Sequence, residues 1–325
     1  MRALVCHKIT DDFSGTEVRD VPMPEPGPGE VRVRVKAASV NFPDLLLTQG
    51  KYQLKLEPPF TPGMDFSGII DKLGPGVTGP LREGTDVAGG VRAGAFAEFI
   101  CVPVEGLQKK PPAMSFASAA SYSAAYLTAY VALVRRANLQ AGETLLVHGA
   151  SGGVGLAAVD VGKLLGATVI ATGGSDEKLD MVVAHGADYA INVNQGFREK
   201  VKTLTHGRGA DVIFDPVGGD VFDESVRCIA FDGRLLVIGF TSGRIATVST
   251  NMPLIKGFSV VGVRAGEYGR QFPEKGRENV NTIWKWARDG KVNPRVHAEV
   301  PLEQAMDAFA MLWDRKVVGK VVVTP

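Results

Sequence analysis

Residues 144–172 read TLLVHGASGGVGLAAVDVGKLLGATVIAT, a buried strand, a glycine-rich turn, an apolar helix and a second strand in succession. Glycine suits places where a backbone turns tightly, where a phosphate approaches the main chain, or where a helix packs closely on a strand. The N-terminus of the helix adds unpaired N–H groups and a partial positive charge. This order predicts a phosphate-binding turn for a dinucleotide, and the alternative is a turn that only permits tight packing.

The chain downstream repeats the same alternation. Apolar strands are predicted at YAINV, DVIFD, RLLVIG and FSVVGV, with helices expected between them near 178–185, 197–205 and 221–229. Nearly continuous apolar strands that alternate with helices are typical of a parallel sheet covered on both faces. The fold class is therefore predicted as α/β, with a doubly wound parallel sheet.

The first 121 residues have a different texture. VRVRV, residues 31–35, alternates apolar and charged side chains with the period of a half-buried strand, and PMPEPGPGE before it is too rich in turn residues for a helix. Further short strands are expected near 66–73, 86–88 and 95–102. This part is predicted to be an irregular β-rich barrel.

Composition narrows the class of protein. The 325 residues carry a formal net charge of +1 without a long run of one sign, so a phosphate-gripping basic face and a nucleic-acid partner are not favoured. No stretch approaches the length of a membrane-spanning helix. The three cysteines are sparse and odd in number, which fits a reducing compartment. We expect a cytoplasmic, globular protein.

The choice between NAD and NADPH depends on the stretch ATVIATGGSDEKLD. NAD sites usually place a carboxylate after the second strand to bind the ribose 2′-hydroxyl, but here Gly173 and Gly174 stand there. Ser175 is expected to cap the next helix, and Lys178 follows in its first turn, where a cation opposes the helix dipole. Ser175 and Lys178 are therefore predicted to hold the 2′-phosphate of NADPH, and the alternative is that Lys178 is a solvated surface residue. Asp176 keeps NAD as the alternative cofactor, because its distance from the glycine-rich turn would also suit a carboxylate that binds the ribose 2′-hydroxyl.

Several motifs together resemble one family. They are SVNFPDLLLTQGKY, PFTPGMDFSGII, HGASGGVG, FDPVGGDVF, LVIGF and GKVVV, which run in this order almost from end to end. The combination resembles the medium-chain dehydrogenase/reductase superfamily and, within it, the zinc-free NADPH:quinone oxidoreductase branch. The resemblance implies a Rossmann dinucleotide-binding domain at 122–265. It also implies a GroES-like β-rich substrate domain built from 1–121 and 266–325.

The resemblance also bears on metal binding. Zinc-dependent members of the superfamily carry a Cys where Asn41 stands here and a His where Met64 stands. Zinc requires thiolate, imidazole or carboxylate ligands close together, and no Cys pair occurs at short spacing. No metal is expected. Without a Lewis acid, a quinone or α,β-unsaturated carbonyl is the favoured acceptor because its charge spreads over a conjugated system.

The resemblance places four side chains around the nicotinamide and substrate. Asn41 and Asp44 are expected near the nicotinamide ribose, with the alternatives that Asn41 holds its own turn and Asp44 caps a helix. Tyr52 is a candidate proton donor or an aromatic wall, and Tyr130 is a cofactor contact or core packing. Arg315 and Lys320 flank the last turn and are expected at the surface, with the alternative that one of them reaches the cofactor.

Further cofactor contacts are expected from turns that follow the strands. The expected cofactor-binding residues, with Tyr130, are Gly149, Ser151, Gly152, Gly153, Val154, Gly174, Ser175, Lys178, Val217, Gly218, Gly239, Phe240, Val263 and Arg264. Where many relatives carry a Tyr beside the adenosine phosphate, this chain has Val193.

These observations predict an NADPH-dependent, zinc-independent reductase of quinones or small enones. The exposed apolar strand FSVVGV predicts a homodimer, because an unpaired apolar edge favours association. Two other functions stay open. One is an enoyl-thioester reductase that uses Arg264, Arg270 or Lys275 to hold a phosphorylated arm, and the other is a non-catalytic NADPH-binding protein of crystallin-like or RNA-binding type.

Overall fold

The computed structural model describes residues 1–292 and 294–325. The strands in those residues are β1 Arg2–Cys6, β2 Thr16–Asp20, β3 Glu30–Ser39, β4 Asp65–Leu73, β5 Asp86–Gly90, β6 Phe99–Pro103, β7 Leu107–Lys109, β8 Thr144–Val147, β9 Thr168–Gly173, β10 Tyr189–Asn192, β11 Ala210–Asp215, β12 Ile229–Val237, β13 Ser259–Gly262, β14 Val296–Pro301 and β15 Lys320–Thr324.

The α-helices of the same residues are α1 Phe42–Thr48, α2 Phe116–Ala120, α3 Ser123–Tyr130, α4 Gly153–Leu164, α5 Asp176–His185, α6 Arg198–Leu204, α7 Gly219–Ser225, α8 Asn251–Lys256, α9 Ala265–Gln271, α10 Pro273–Arg288 and α11 Ala305–Trp313. A π-helical segment, Val131–Arg136, continues α3. No helix in the described part of the chain combines the length and apolarity needed to cross a membrane.

The chain divides into two compact units. One comprises Met1–Ala124 and Trp286–Pro325, and the other comprises Ala125–Lys285. The sequence expectation placed the second boundary at residue 265, whereas α9 and most of α10 belong to the second unit. The helix α10 therefore continues the unit that carries the parallel sheet.

The second unit is built on a six-stranded sheet in the order β10-β9-β8-β11-β12-β13, with every pair parallel. Renumbered from β8, this is the order 3-2-1-4-5-6 of the Rossmann fold. All four residues of β8 are buried, which requires cover on both faces of the sheet. The predicted doubly wound sheet is confirmed, and its switch point lies where β9 and β11 flank β8.

The first unit contains a mostly antiparallel sheet in the order β14-β15-β3-β4-β5-β7. The strand β6 pairs with the N-terminal half of β3, and β15 pairs with its C-terminal end. Alternate residues Val31, Val33 and Val35 of β3 are buried in the core, as the period of the sequence predicted. The strand β15 pairs with β3, so the C-terminal residues join a sheet formed by the N-terminal ones.

Five elements of the structure differ from the sequence expectation. The helix predicted to reach residue 229 ends at Ser225, and β12 begins at Ile229. A register shift near Ala210 and Val212 of β11 and a positive φ of 61° at Asp232 let β12 begin early and then bend. The helices α8 and α9 and the strand β14 are also absent from the sequence prediction, because their segments lack a clear apolar period.

Candidate cofactor and active site

The glycine-rich turn joins β8 to α4 in the second unit. Gly149 has a φ of +56°, and Gly152 is the residue before α4 with no side chain capping the helix. A Cβ on Gly155 would lie 2.4 Å from the Gly149 carbonyl oxygen and 2.7 Å from the Ala150 Cα, so only glycine permits this approach of turn and helix. The N–H groups of the first helical turn are left for a ligand, which is the arrangement that binds phosphate.

The predicted cofactor residues of the second unit share one edge of the sheet. Because its strands are parallel, the residues that follow β8, β9, β11, β12 and β13 all lie at the carboxyl edge. The residues brought to this edge are Gly149, Ser151, Gly152, Gly153, Val154, Gly174, Ser175, Lys178, Val217, Gly218, Gly239, Phe240, Val263 and Arg264. Tyr130 instead lies at the end of α3, 8% exposed, with the Arg135 guanidinium 6.0 Å from its ring centroid.

The turn after β11 is fixed by a buried carboxylate that the sequence reasoning missed. Asp215 Oδ1 accepts hydrogen bonds from the N–H groups of Val217 at 2.8 Å and Gly218 at 2.9 Å. Burial raises the pKa of Asp215, and these two N–H groups oppose that rise. Gly218, at φ +70°, lies against Phe240, so the turns after β11 and β12 support each other.

The end of β9 carries the residues predicted to recognise the 2′-phosphate. Ser175 caps α5 by accepting a hydrogen bond from the Lys178 N–H at 3.5 Å. Partial burial lowers the pKa of Lys178, and Glu177 opposes that change. The Asp176 carboxylate accepts a hydrogen bond of 2.8 Å from the Asn192 side chain. Asp176 is therefore engaged with the last residue of β10.

The first unit holds a buried polar cluster around Asn41, which we call the Asn41 cluster and define as Asn41, Asp44, Asp65 and Lys320. Asp44 is fully buried, and its Oδ2 and Oδ1 accept the N–H groups of Asn41 at 2.8 Å and Gly63 at 3.0 Å. Asp44 thus anchors the start of α1, as one of the sequence alternatives had it. Burial raises its pKa to about 7.

Lys320 completes the Asn41 cluster, and its predicted surface location is wrong. The residue is only 6% exposed, and its Nζ donates to Asn41 Oδ1 at 2.5 Å. Asn41 Nδ2 donates to Asp65 Oδ2 at 3.0 Å. Lys320 is the first residue of β15, and pairing of β15 with β3 carries it inward, which a sequence alone does not show.

Tyr52 lies outside the Asn41 cluster. It follows α1 in a segment without regular structure, it is partly exposed, and its N–H donates to the Leu46 carbonyl at 3.2 Å. The structure therefore brings Asn41 and Asp44 together at the start of α1 and places Tyr52 beyond the end of that helix.

A second buried polar group stabilises the sheet of the second unit beneath the turn. His148, fully buried, bonds Thr172 Oγ1 through Nδ1 at 2.7 Å and Ser225 Oγ through Nε2 at 2.8 Å. Because the Ser225 hydroxyl donates to the Val221 carbonyl at 2.6 Å, we assign the proton to Nε2. Desolvation lowers the pKa of His148 to about 3, so the ring is neutral.

Replacement of His148 by Asn is expected to change how stability depends on pH. The folded-state pKa lies below the ordinary 6.5, so the stability contribution of the neutral ring is present above 6.5 and is lost as the pH falls toward 3. In that window the wild type should lose about 1.4 kcal/mol of unfolding free energy per pH unit that the variant does not lose. Urea unfolding from pH 4.5 to 7.5 measures this, with exposed His206→Asn as the control. Parallel curves for wild type and His148→Asn would contradict it.

The side chains at positions 41 and 64 bear on metal binding. Among residues 1–292 and 294–325, no three His, Cys, Asp or Glu side chains are arranged to hold a metal ion. At the two positions where zinc-dependent members of the superfamily have ligands, this chain presents the amide of Asn41, already bonded to Lys320, and the thioether of Met64. These donors do not suit zinc.

Comparison with known proteins gives the same outline. Residues 27–112 match the family described as the alcohol dehydrogenase GroES-like domain, and residues 153–282 match the zinc-binding dehydrogenase family. Quinone oxidoreductase-like protein 2 of Mus musculus is 39% identical over 287 residues, which are 88% of this chain and 82% of that protein. The chain belongs to the quinone oxidoreductase-like family of medium-chain dehydrogenases/reductases.

Solved structures of the quinone oxidoreductase-like family superpose along the whole chain. The quinone oxidoreductase of Thermus thermophilus, described with its NADPH complex, is 32% identical with a TM-score of 0.88 and full coverage of both chains. The Escherichia coli quinone oxidoreductase complexed with NADPH is 27% identical with a TM-score of 0.91, again with full coverage of both. The predicted combination of a Rossmann-type sheet with a GroES-like domain is confirmed.

Proposed function

We propose that this chain is an NADPH-dependent oxidoreductase that reduces a quinone or a small α,β-unsaturated carbonyl without zinc. The observation that carries the proposal is the convergence of the glycine-rich turn and four further loops at the carboxyl edge of the parallel sheet. The fit to the cofactor rests on two features. The N-terminus of α4 is uncapped, and a Cβ on Gly152 would find only the Gly149 carbonyl oxygen, at 3.4 Å. The surface of the turn at Gly152 is therefore open to a pyrophosphate.

NADPH, when bound, supplies a hydride to the acceptor. The residues of this chain do the rest. Gly153 and Val154 bind the pyrophosphate through main-chain N–H groups, while the Gly152 N–H donates to the Gly149 carbonyl and closes the turn at 3.0 Å. Ser175 and Lys178 bind the 2′-phosphate. The turns at Val217, Gly218, Gly239 and Phe240, with Val263 and Arg264, hold the nicotinamide half, and Tyr130 belongs to the same proposed set.

The first unit is proposed to position the acceptor and complete proton transfer. Asn41 binds the nicotinamide ribose, Asp44 holds Asn41 in place, and Tyr52 donates a hydrogen bond or a proton to the developing enolate. A phenol is a weak acid at neutral pH, so solvent water delivers the proton where Tyr52 only orients the oxygen. Holding both reactants at near-attack distance then contributes much of the rate.

The test is NADPH oxidation by the purified chain with 1,4-benzoquinone, 9,10-phenanthrenequinone, a small enone and crotonyl-CoA, each with and without EDTA. We expect turnover of a quinone or the enone, unchanged by EDTA. Loss of activity with EDTA would overturn the zinc-free proposal. Binding of NADPH without turnover of any acceptor would favour the non-catalytic alternative.

A preference for crotonyl-CoA would support the enoyl-thioester alternative. One observation favours it as a second candidate. Arg264 and Arg270 both lie near the Glu267 carboxylate, at 3.8 Å and 2.8 Å, and Lys275 follows at 5.2 Å from the Phe272 ring centroid. The two guanidinium groups against the one Glu267 carboxylate leave a net positive charge for a phosphorylated arm.

Lys178→Ala is expected to reduce the preference for NADPH over NADH by about tenfold, because it removes the ammonium that attracts the 2′-phosphate. A tenfold change corresponds to about 1.4 kcal/mol of binding free energy. The ratio of kcat/KM for the two cofactors measures the effect. Lys200→Ala, which removes an exposed lysine of α6, is the matched control. An unchanged ratio in Lys178→Ala would show that the 2′-phosphate binds elsewhere.

We also propose a homodimer formed through β13. This strand is an end strand of the six-stranded sheet, so one side of it lacks a partner strand. Large apolar side chains near that end are exposed, including Phe231 at 81%, Leu254 at 82% and Ile255 at 71%. An unpaired edge with apolar surface favours association. Sedimentation equilibrium of wild type and Val260→Lys would test it, and a monomeric wild type would contradict it.

A further inference from the structure

The two ends of the Asn41 amide are fixed by chemically different neighbours. An ammonium has no lone pair and only donates, so the atom of Asn41 that faces Lys320 Nζ at 2.5 Å must be the oxygen Oδ1. The opposite atom, Nδ2, donates to Asp65 Oδ2 at 3.0 Å and to the Ser39 carbonyl at 3.3 Å. A rotated amide would place its NH2 against the ammonium and its oxygen against the carboxylate. Only one orientation therefore fits.

These bonds use most of the hydrogen-bonding capacity of the side chain. Nδ2 has two hydrogens, and both are engaged. Oδ1 has two lone pairs, of which Lys320 occupies one. Among the described residues, the remaining lone pair of Oδ1 is the open position of this amide. A group that binds Asn41 must then be a donor, such as a hydroxyl.

The Asn41 cluster is largely buried, which makes its arrangement rigid. Asn41 is 7%, Asp44 0%, Asp65 1% and Lys320 6% exposed. Satisfied polar networks in a low-dielectric interior resist rearrangement, because a broken member stays unpaired. Removal of the ammonium would leave two buried carboxylates beside an amide that is no longer held.

We propose that Lys320 is a positioning residue that locks the Asn41 amide with Oδ1 as its only open group, so that position 41 binds a hydroxyl donor of the nicotinamide ribose. The inference rests on the proposed function, since it names how Asn41 meets the cofactor. Lys320 acts only through Asn41 and touches no reacting atom.

The main test uses the charge-balanced variant Lys320→Met/Asp65→Asn, which removes one positive and one negative charge together. Dissociation constants for NADPH and for 2′,5′-ADP, which has no nicotinamide ribose, are measured by calorimetry alongside the apparent Tm. We expect the NADPH constant to rise about tenfold, equivalent to one hydrogen bond of about 1.4 kcal/mol, while the 2′,5′-ADP constant does not change. When the same two changes are added to the Asn41→Ala variant, the NADPH dissociation constant should not rise above that of Asn41→Ala alone.

Other outcomes overturn the inference. An unchanged NADPH constant in the charge-balanced variant shows that Lys320 does not orient Asn41, and equal weakening of both ligands shows a general structural role.

The exchange variant Asn41→Asp/Asp65→Asn keeps Lys320, the buried charge and an acceptor at position 41, so its NADPH constant should stay within about threefold of wild type. A tenfold loss there contradicts the inference even if the methionine variant does not fold. A wild type that binds 2′,5′-ADP but gains nothing from the nicotinamide half also overturns it, whereas a wild type that binds neither ligand overturns the proposed function.

Discussion

Gly152→Ala is expected to fold like the wild type and to lose NADPH affinity by at least about tenfold, or about 1.4 kcal/mol. The added Cβ would lie 3.4 Å from the Gly149 carbonyl oxygen and, apart from the adjoining residues, meet no other heavy atom of the described chain within 4 Å. The same Cβ would stand at the uncapped start of α4, where a pyrophosphate approaches the main chain. Calorimetric NADPH titration and thermal unfolding together measure the effect.

Gly155→Ala is the matched variant of this turn. In contrast to Gly152→Ala, it should lower the stability of the fold. Its Cβ would lie 2.4 Å from the Gly149 carbonyl oxygen and 2.7 Å from the Ala150 Cα, both backbone atoms that cannot move aside alone. Overpacking of this kind costs about 1–3 kcal/mol of stability. A Gly152→Ala variant that binds NADPH normally would show that the pyrophosphate does not contact this glycine.

Asp44→Asn is expected to destabilise the first unit by about 1–3 kcal/mol, because its amide NH2 cannot accept a hydrogen bond. Asp44 uses both carboxylate oxygens for the N–H groups of Asn41 and Gly63, and it is fully buried. In the variant one of those donors faces another donor. Urea unfolding measures the loss, and Asp12→Asn is the control, since Asp12 also accepts a backbone N–H but is exposed.

The pH dependence gives this prediction a second check. The folded-state pKa of Asp44 is about 7, above its ordinary 3.8, so its contribution to stability is complete below 3.8 and is lost as the pH rises through 7. The difference between wild type and Asp44→Asn should therefore be larger at pH 5 than at pH 8. An equal difference at pH 5 and pH 8 would mean that Asp44 is ionised in the folded chain throughout this range and would contradict the prediction.

The parallel sheet and its glycine-rich turn were predictable because the signals are local. The spacing of Gly149, Gly152 and Gly155 between an apolar strand and an apolar helix reflects steric demands within seven residues of chain. The strand order 3-2-1-4-5-6 then placed the loops predicted for the cofactor at one edge. The capping role of Asp44 also follows from local sequence, three residues after Asn41.

The cluster partners were not predictable in this way. Lys320 and Asn41 are 279 residues apart, and Asp65 is 24 residues from Asn41. Nothing near Lys320 distinguishes a buried lysine from the surface lysine that its charge suggests. Asp215 and the partners of His148 were missed for the same reason. The bond between His148 and Ser225 spans 77 residues.

The sequence by itself determined the fold class, the glycine-rich turn and the residues that follow each parallel strand, because hydrophobic period and backbone sterics act over short stretches of chain. Only the tertiary structure decided which polar side chains are buried together and how the Asn41 amide is oriented. Those properties depend on the pairing of β15 with β3, and a buried lysine is stable only where the fold supplies its carboxylates and its acceptor at once.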